Sequence, residues 1–161
     1  MTRSLAGLIA LFLLGALSSW AQSHQQQKKY FPKPFKDLYL GMPLAVFANR
    51  RPKLPPETLI RDDIRYRWRE SFSASSPIIA ALYYFDDKGD RPLYEIVIFY
   101  RDLADRGKWV RKRLGTPNYK DREWRLSSAE GFLIRAWLYE EKLIFAGELP
   151  GTEWGPDESQ E

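Results

Sequence analysis

The sequence predicts an α+β fold: an antiparallel sheet of about six strands, in two helix-plus-three-strand repeats, with helices packed on one face. Three observations predict it. A pattern occurs twice: LYLGMPLAVFANRRP (38–52) precedes apolar runs at 64–72, 78–85 and 93–100, and DLADRGKWVRKRLGTP (102–117) precedes runs at 123–127, 132–139 and 143–149. Within each copy the runs are joined by short turns, which makes antiparallel neighbours of them. Finally, six Trp, nine Tyr and nine Phe in 161 residues suit a sheet-rich core. The two copies can share one sheet or form two.

The elements follow in chain order. Arg3, a 13-residue apolar stretch from Leu5 to Leu17 and the sequence Ser18-Ser19-Trp20-Ala21 read as a signal peptide over 1–21. The stretch is shorter than the roughly 20 apolar residues a spanning helix needs. Cleavage is expected between Ala21 and Gln22, an uncleaved anchor being the alternative. Residues 22–34 (QSHQQQKKYFPKP) read as a flexible leader. The α+β domain then covers 35–149, with pseudo-repeats at 35–100 and 101–149.

The first helix runs from Pro43 to about Arg50, with Leu44, Val46 and Phe47 as its apolar residues. Strand alternation in IRYRWRESF sends Ile64, Tyr66, Trp68 and Phe72 one way, with Glu70 as an exception, and Arg65, Arg67 and Arg69 the other. Asp86 to Asp90 (DDKGD) has hairpin-turn chemistry. In the second helix, Asp102 is the N-cap and Asp105 lies in the first turn, both suited to the positive helix end. Leu103, Val110 and Leu114 form its apolar stripe. Arg111 to Arg113 crowd the last turn, Gly115 offers a left-handed cap and Pro117 stops it. Beyond it, Trp124 and Leu126 separate from Arg125 and Ser127. Phe132, Ile134, Ala136 and Leu138 form a core set, leaving Leu133, Arg135, Trp137 and Tyr139 opposite. Residues 150–161 read as an acidic disordered tail, although Trp154 can pack back onto the domain.

Much chemistry is excluded. The absence of cysteine removes disulfides, thiol catalysis, thiolate metal sites and a lipid-carrying cysteine. The single histidine, His24, lies in the leader, away from any partner for metal binding or base catalysis. Counted as a calcium loop from Asp86, the chain has Lys88 at the third position, Arg91 at the sixth and Val97 at the twelfth, which fails the pattern. Glu70, Glu95, Glu123 and Glu130 are candidate carboxylates, but a glycosidase pair is defined by separation in space. There is no phosphate loop, nucleophile elbow or zinc-protease motif. The expectation is a non-enzyme without cofactor or metal. A net charge of +4, with 25 basic and 21 acidic residues well mixed, argues against nucleic acid. An exported, cysteine-free chain fits the bacterial periplasm or the extracellular space, with no stable membrane anchor after cleavage.

If the strands share one sheet, its outer face carries Arg65, Arg67, Arg69, Arg125, Arg135, Trp137 and Tyr139. Arginine stems can simply cover apolar sheet area in water. Arg, Trp and Tyr are also the residues that dominate binding hot spots. The expected function is therefore a non-catalytic exported binding protein that engages a protein partner in the cell envelope. The alternatives are a small ligand- or carbohydrate-binding domain, a carboxylate-dependent envelope hydrolase, or a structural envelope protein.

LGMPLAVF, the later KRLGTP, and the strands ALYYFDDKG and PLYEIVIFY resemble the β-lactamase-inhibitor-like superfamily of small exported bacterial domains, which includes the SmpA/OmlA outer-membrane assembly component. The resemblance covers roughly residues 35 to 149. It implies a helical segment before a short meander, a sheet packed by helices on one side, and protein binding. This chain lacks the lipid-carrying cysteine of the assembly component and the disulfides of the inhibitors, so neither anchoring nor an inhibitory target is carried over.

Overall fold

The computed structural model of the protein describes residues 25–128 and 131–156. The proposed signal peptide, its Ala21–Gln22 cleavage site, His24 and Glu130 lie outside the described residues. The fold is α+β, built on one open antiparallel sheet of seven strands: β1 (Ile60–Arg61), β2 (Arg65–Ser71), β3 (Ile78–Asp86), β4 (Leu93–Tyr100), β5 (Glu123–Ser127), β6 (Leu133–Tyr139) and β7 (Lys142–Gly147). Helix α1 (Leu44–Arg50) precedes the first group of strands, and α2 (Leu103–Arg113) the second. The strand order is β1-β2-β3-β4-β7-β6-β5. The two copies thus share one sheet, and the third strand of each meets its counterpart at the centre, with Glu95 opposite Ala146 and Val97 opposite Ile144. The strand beyond the expected six is β1, a two-residue edge piece too short for any periodicity to betray.

The helices lie on one face. Phe47 of α1 is fully buried, with ring centroids 4.7 Å from Tyr83, 5.0 Å from Phe85 and 5.8 Å from Trp68. Val110 of α2 is buried in the same core, and the carbonyl of Gly115 accepts the Trp124 indole at 3.2 Å. Around them the sheet contributes Ile96, Ile98, Ile134, Ala136, Leu143 and Phe145. The capping of α2 is as the sequence indicates. The Asp102 carboxylate accepts the Ala104 amide at 2.5 Å, and Gly115 takes a positive φ of 73°. In the β3–β4 turn, Asp86 accepts the Lys88 amide at 2.8 Å.

Four expectations are corrected. Leu103 is 56 % exposed, because the first turn of α2 is solvated and only its later turns reach the sheet. Ile64 is 62 % exposed, since it lies in the bend before β2 and outside the ladder that would have fixed its face. The leader is packed from Gln27 onward. The buried Gln27 amide accepts from the Leu40 amide at 2.8 Å and donates to the Leu40 carbonyl at 3.2 Å, completing a backbone pairing with its side chain. Phe31 is fully buried with its ring edge-on to Phe145 at 5.0 Å, worth about 2–3 kcal/mol of burial. Polar composition hid these apolar anchors. The start of the tail, finally, folds back, as set out below.

Glu70 points into the core face, and its neighbours explain how it is tolerated. Its carboxylate accepts the Tyr83 hydroxyl and lies 3.3 Å from Arg51 Nε. Arg51 also holds the Asp37 carboxylate, at 2.9 Å through one nitrogen, and the Pro34 carbonyl at 2.9 Å. A buried carboxylate needs such pairing. The network ties the end of α1 to β2, β3 and the leader.

Candidate functional site

The site is the outer face, which carries no helix among the described residues. Alternation along each strand and the observed register assemble it row by row. One row crosses six strands as Arg67, Tyr84, Glu95, Ala146, Arg135 and Arg125. The next reads Arg69, Leu82, Val97, Ile144, Trp137 and Glu123. All seven candidates therefore share a face. They do not form one cluster. Neighbouring strands lie about 4.8 Å apart, so β2 and β6 stand about 19 Å apart. Arg65, Arg67 and Arg69 form one basic group, and Arg125 and Arg135 another. Leu82, Val97, Ile144 and Ala146 form an apolar floor between them.

The second group is internally paired. Arg135 reaches Glu123 with two nitrogens, Nε to Oε1 at 3.1 Å and Nη2 to Oε2 at 2.8 Å, and Arg125 Nε approaches Oε1 at 3.2 Å. The Arg135 hydrogen bonds hold the Glu123 carboxyl below its ordinary pKa despite its burial. Arg125 stacks 3.5 Å from the centroid of the Tyr119 ring. In the first group, Arg65 lies 4.5 Å over the Tyr84 ring. Arg67 and Arg69 make no ion pair among the described residues. Tyr139 is exposed at the end of β6.

The C-terminal segment lies across the floor. The Glu153 carboxylate accepts from Arg65 Nη1 at 2.7 Å and from the Tyr94 hydroxyl at 2.9 Å. The Trp154 indole donates to Glu95 Oε2 at 2.6 Å, and its ring meets Trp137 edge-on at 5.4 Å. The Arg135 guanidinium is 5.4 Å from the same ring. Residues 150–156 are thus an ordered strap, in place of the expected disordered tail; 157–161 lie outside the described residues. Burial pushes the Glu95 carboxyl above its ordinary pKa, the indole bond opposing and nearby Glu153 reinforcing the shift.

No family model, curated protein or solved structure matches the chain. Its chemistry must therefore be read from the residues themselves. Among the described residues no group of three or more His, Cys, Asp or Glu side chains is placed to hold a metal ion. No helix among them is long and apolar enough to cross a membrane. The candidate carboxylates Glu70, Glu95 and Glu123 are each engaged by different partners. The outer face carries guanidinium groups, aromatic rings and the buried acids Glu95 and Glu123.

Sequence reasoning missed Tyr94, Glu153 and the placement of Glu95 and Trp154. One signal was present. Glu95 is the lone charge inside the apolar run LYEIVIFY, and a charge in a central strand asks for a partner.

Proposed function

We propose that the protein is a non-catalytic exported binding protein that engages a protein partner of the cell envelope through its outer sheet face. The observation that carries this reading is the pair Arg67 and Arg69, guanidinium groups that make no ion pair among the described residues, beside the apolar and aromatic floor. Such groups gain most when a partner desolvates and pairs them. The resemblance to exported protein-binding domains points the same way.

The test compares crosslinking and pull-down from an envelope fraction using the wild-type protein and Arg67→Ala/Trp137→Ala. Specific partners are expected to be recovered by the wild type and lost from the variant. Equal recovery by both sinks the proposal.

One observation favours the small-ligand alternative. A cleft of about 510 Å³ opens between the leader and α2, lined by Pro32, Pro34, Trp109 and the lysines 33, 108 and 112. The Tyr100 hydroxyl there is buried without a hydrogen-bond partner among the described residues. A ligand in that cleft would change Trp109 fluorescence, and binding would be indifferent to Arg67→Ala.

A further inference from the structure

Resting on the reading of the outer face as a protein-binding surface, we propose that it recognises a short acidic–aromatic segment. The chain's own Glu153-Trp154 occupies that site in cis, as an internal stand-in for the partner.

The contacts have the selectivity of a recognition site. Two donors, Arg65 Nη1 and the Tyr94 hydroxyl, converge on a single carboxylate oxygen of Glu153 at 2.7 and 2.9 Å. A neutral amide in that place would take up the same donors without the charge, and charge-assisted bonds are about twice as strong as neutral ones. Beside them, Glu95 is a buried acid whose neighbour must supply a proton donor. The indole N–H does so at 2.6 Å; a phenylalanine ring would fill the space and leave the carboxylate unpaired. The ring also packs on Trp137 and under Arg135, from the opposite basic group. An acidic residue followed by tryptophan thus bridges the two halves of a surface that is otherwise divided.

The segment is shaped for the purpose. The Thr152 hydroxyl donates to the Leu149 carbonyl at 2.8 Å, and the Gly155 amide to the Thr152 carbonyl at 2.9 Å, closing a tight turn that aims Glu153 and Trp154 at the sheet. A β-carbon on Gly155 would stand 2.3 Å from the Leu149 carbonyl oxygen, so only glycine fits. Gly151, with a positive φ of 76°, and Gly155 frame this turn.

The seat is also releasable. Glu153 keeps 37 % of its side-chain exposure and Trp154 is half-buried, in contrast to the fully buried anchors of the core. Segments with few buried contacts open at low free-energy cost. Covalent attachment gives the strap an effective concentration on the order of millimolar, so weak contacts suffice in cis. A partner carrying the same chemistry on a larger surface would displace it.

The test uses the full mature chain, as wild type and as Glu153→Gln/Trp154→Ala, titrated with a synthetic GTEWGP peptide while amide and indole resonances are followed by NMR. The double variant is expected to show saturable shifts at Tyr94, Glu95 and Trp137, with an affinity at least about tenfold above that of the wild type, whose site is filled. A GTQWGP peptide is expected to bind at least about fivefold more weakly. The single change Glu153→Gln, which removes only a charge, gives the same ranking if the double variant folds poorly. Equal response of wild type and variants, or none up to about 10 mM peptide, overturns the proposal. Such a failure leaves the envelope pull-down untouched. Conversely, peptide binding alongside unchanged recovery by Arg67→Ala/Trp137→Ala removes the protein-binding reading and with it this inference.

Discussion

The pairing of Glu123 with Arg135 should be the most strongly coupled ion pair on the outer face, and its strength can be worked from its geometry. Fully exposed pairs contribute about 0–1 kcal/mol, while removing one member of a buried pair costs about 3–5 kcal/mol. Glu123 retains 10 % side-chain exposure and Arg135 27 %, and two nitrogens of one guanidinium meet the two carboxylate oxygens. A coupling energy of about 1–2 kcal/mol is expected between these limits. Arg125, with 37 % exposure and one contact, adds no more than about 0.5 kcal/mol. Glu123→Ala should therefore cost more than Arg135→Ala, since it removes the carboxylate that two guanidinium groups share and leaves Arg135 only the looser pairing with Glu148 at 3.9 Å.

The pH dependence has a definite sign. The folded-state pKa of Glu123 is lowered, chiefly by its hydrogen bonds to Arg135. The stabilisation is thus fully present above the unfolded value, about 4.3, and is lost as pH falls through the folded value. The assay is urea unfolding of wild type, Glu123→Ala, Arg135→Ala and the double variant at about pH 7 and again at about pH 2–3. A coupling below about 0.3 kcal/mol at neutral pH, or one that is the same in acid, would refute the reasoning.

Two further outcomes follow from the core and from the strap. Phe47→Ala removes a fully buried ring with three aromatic neighbours and should cost about 3–5 kcal/mol in denaturant unfolding; a loss below about 1.5 kcal/mol would mean that α1 is not seated as described. Glu95→Gln should act in the opposite direction. Burial raises the Glu95 pKa, so the carboxyl favours the fold below its unfolded value and loses that advantage as pH rises through the folded one. The glutamine oxygen can still accept from Trp154. The variant should gain on the wild type as pH rises from acid to neutral; parallel stability–pH curves would contradict this.

What the sequence made legible was local. Strand alternation placed Arg65, Arg67 and Arg69 opposite Trp68, and the same rule placed Arg135, Trp137 and Tyr139 opposite Ile134 and Ala136, because side-chain direction in a ladder depends only on parity. Asp102 and Gly115 marked the ends of α2 through backbone groups within a few residues. Distance across the sheet was not legible: nothing in either copy says that β4 pairs with β7, and so nothing says that the arginines fall into two groups. Gln27 and Phe31 were hidden for a related reason. Their partners, Leu40 and Phe145, are remote in sequence, and a glutamine-rich stretch has the composition of a linker whether or not it docks. Trp154 carried a stronger hint, since a tryptophan is seldom left in water.

The central β4–β7 seam bears on how the molecule is made. Each half of the sheet is a run of neighbouring hairpins that can close quickly, but Glu95 and Ala146 are roughly fifty residues apart, and bringing them together carries a larger loop-closure entropy. Until that happens, β4 and β7 present unpaired backbone edges flanked by the apolar side chains of Ile96, Ile98, Ile144 and Phe145. The centre of the finished face is therefore the stretch with the longest opportunity to pair with another nascent copy. During folding, shielding these two strands until the halves meet would matter more to yield than the stability of either half.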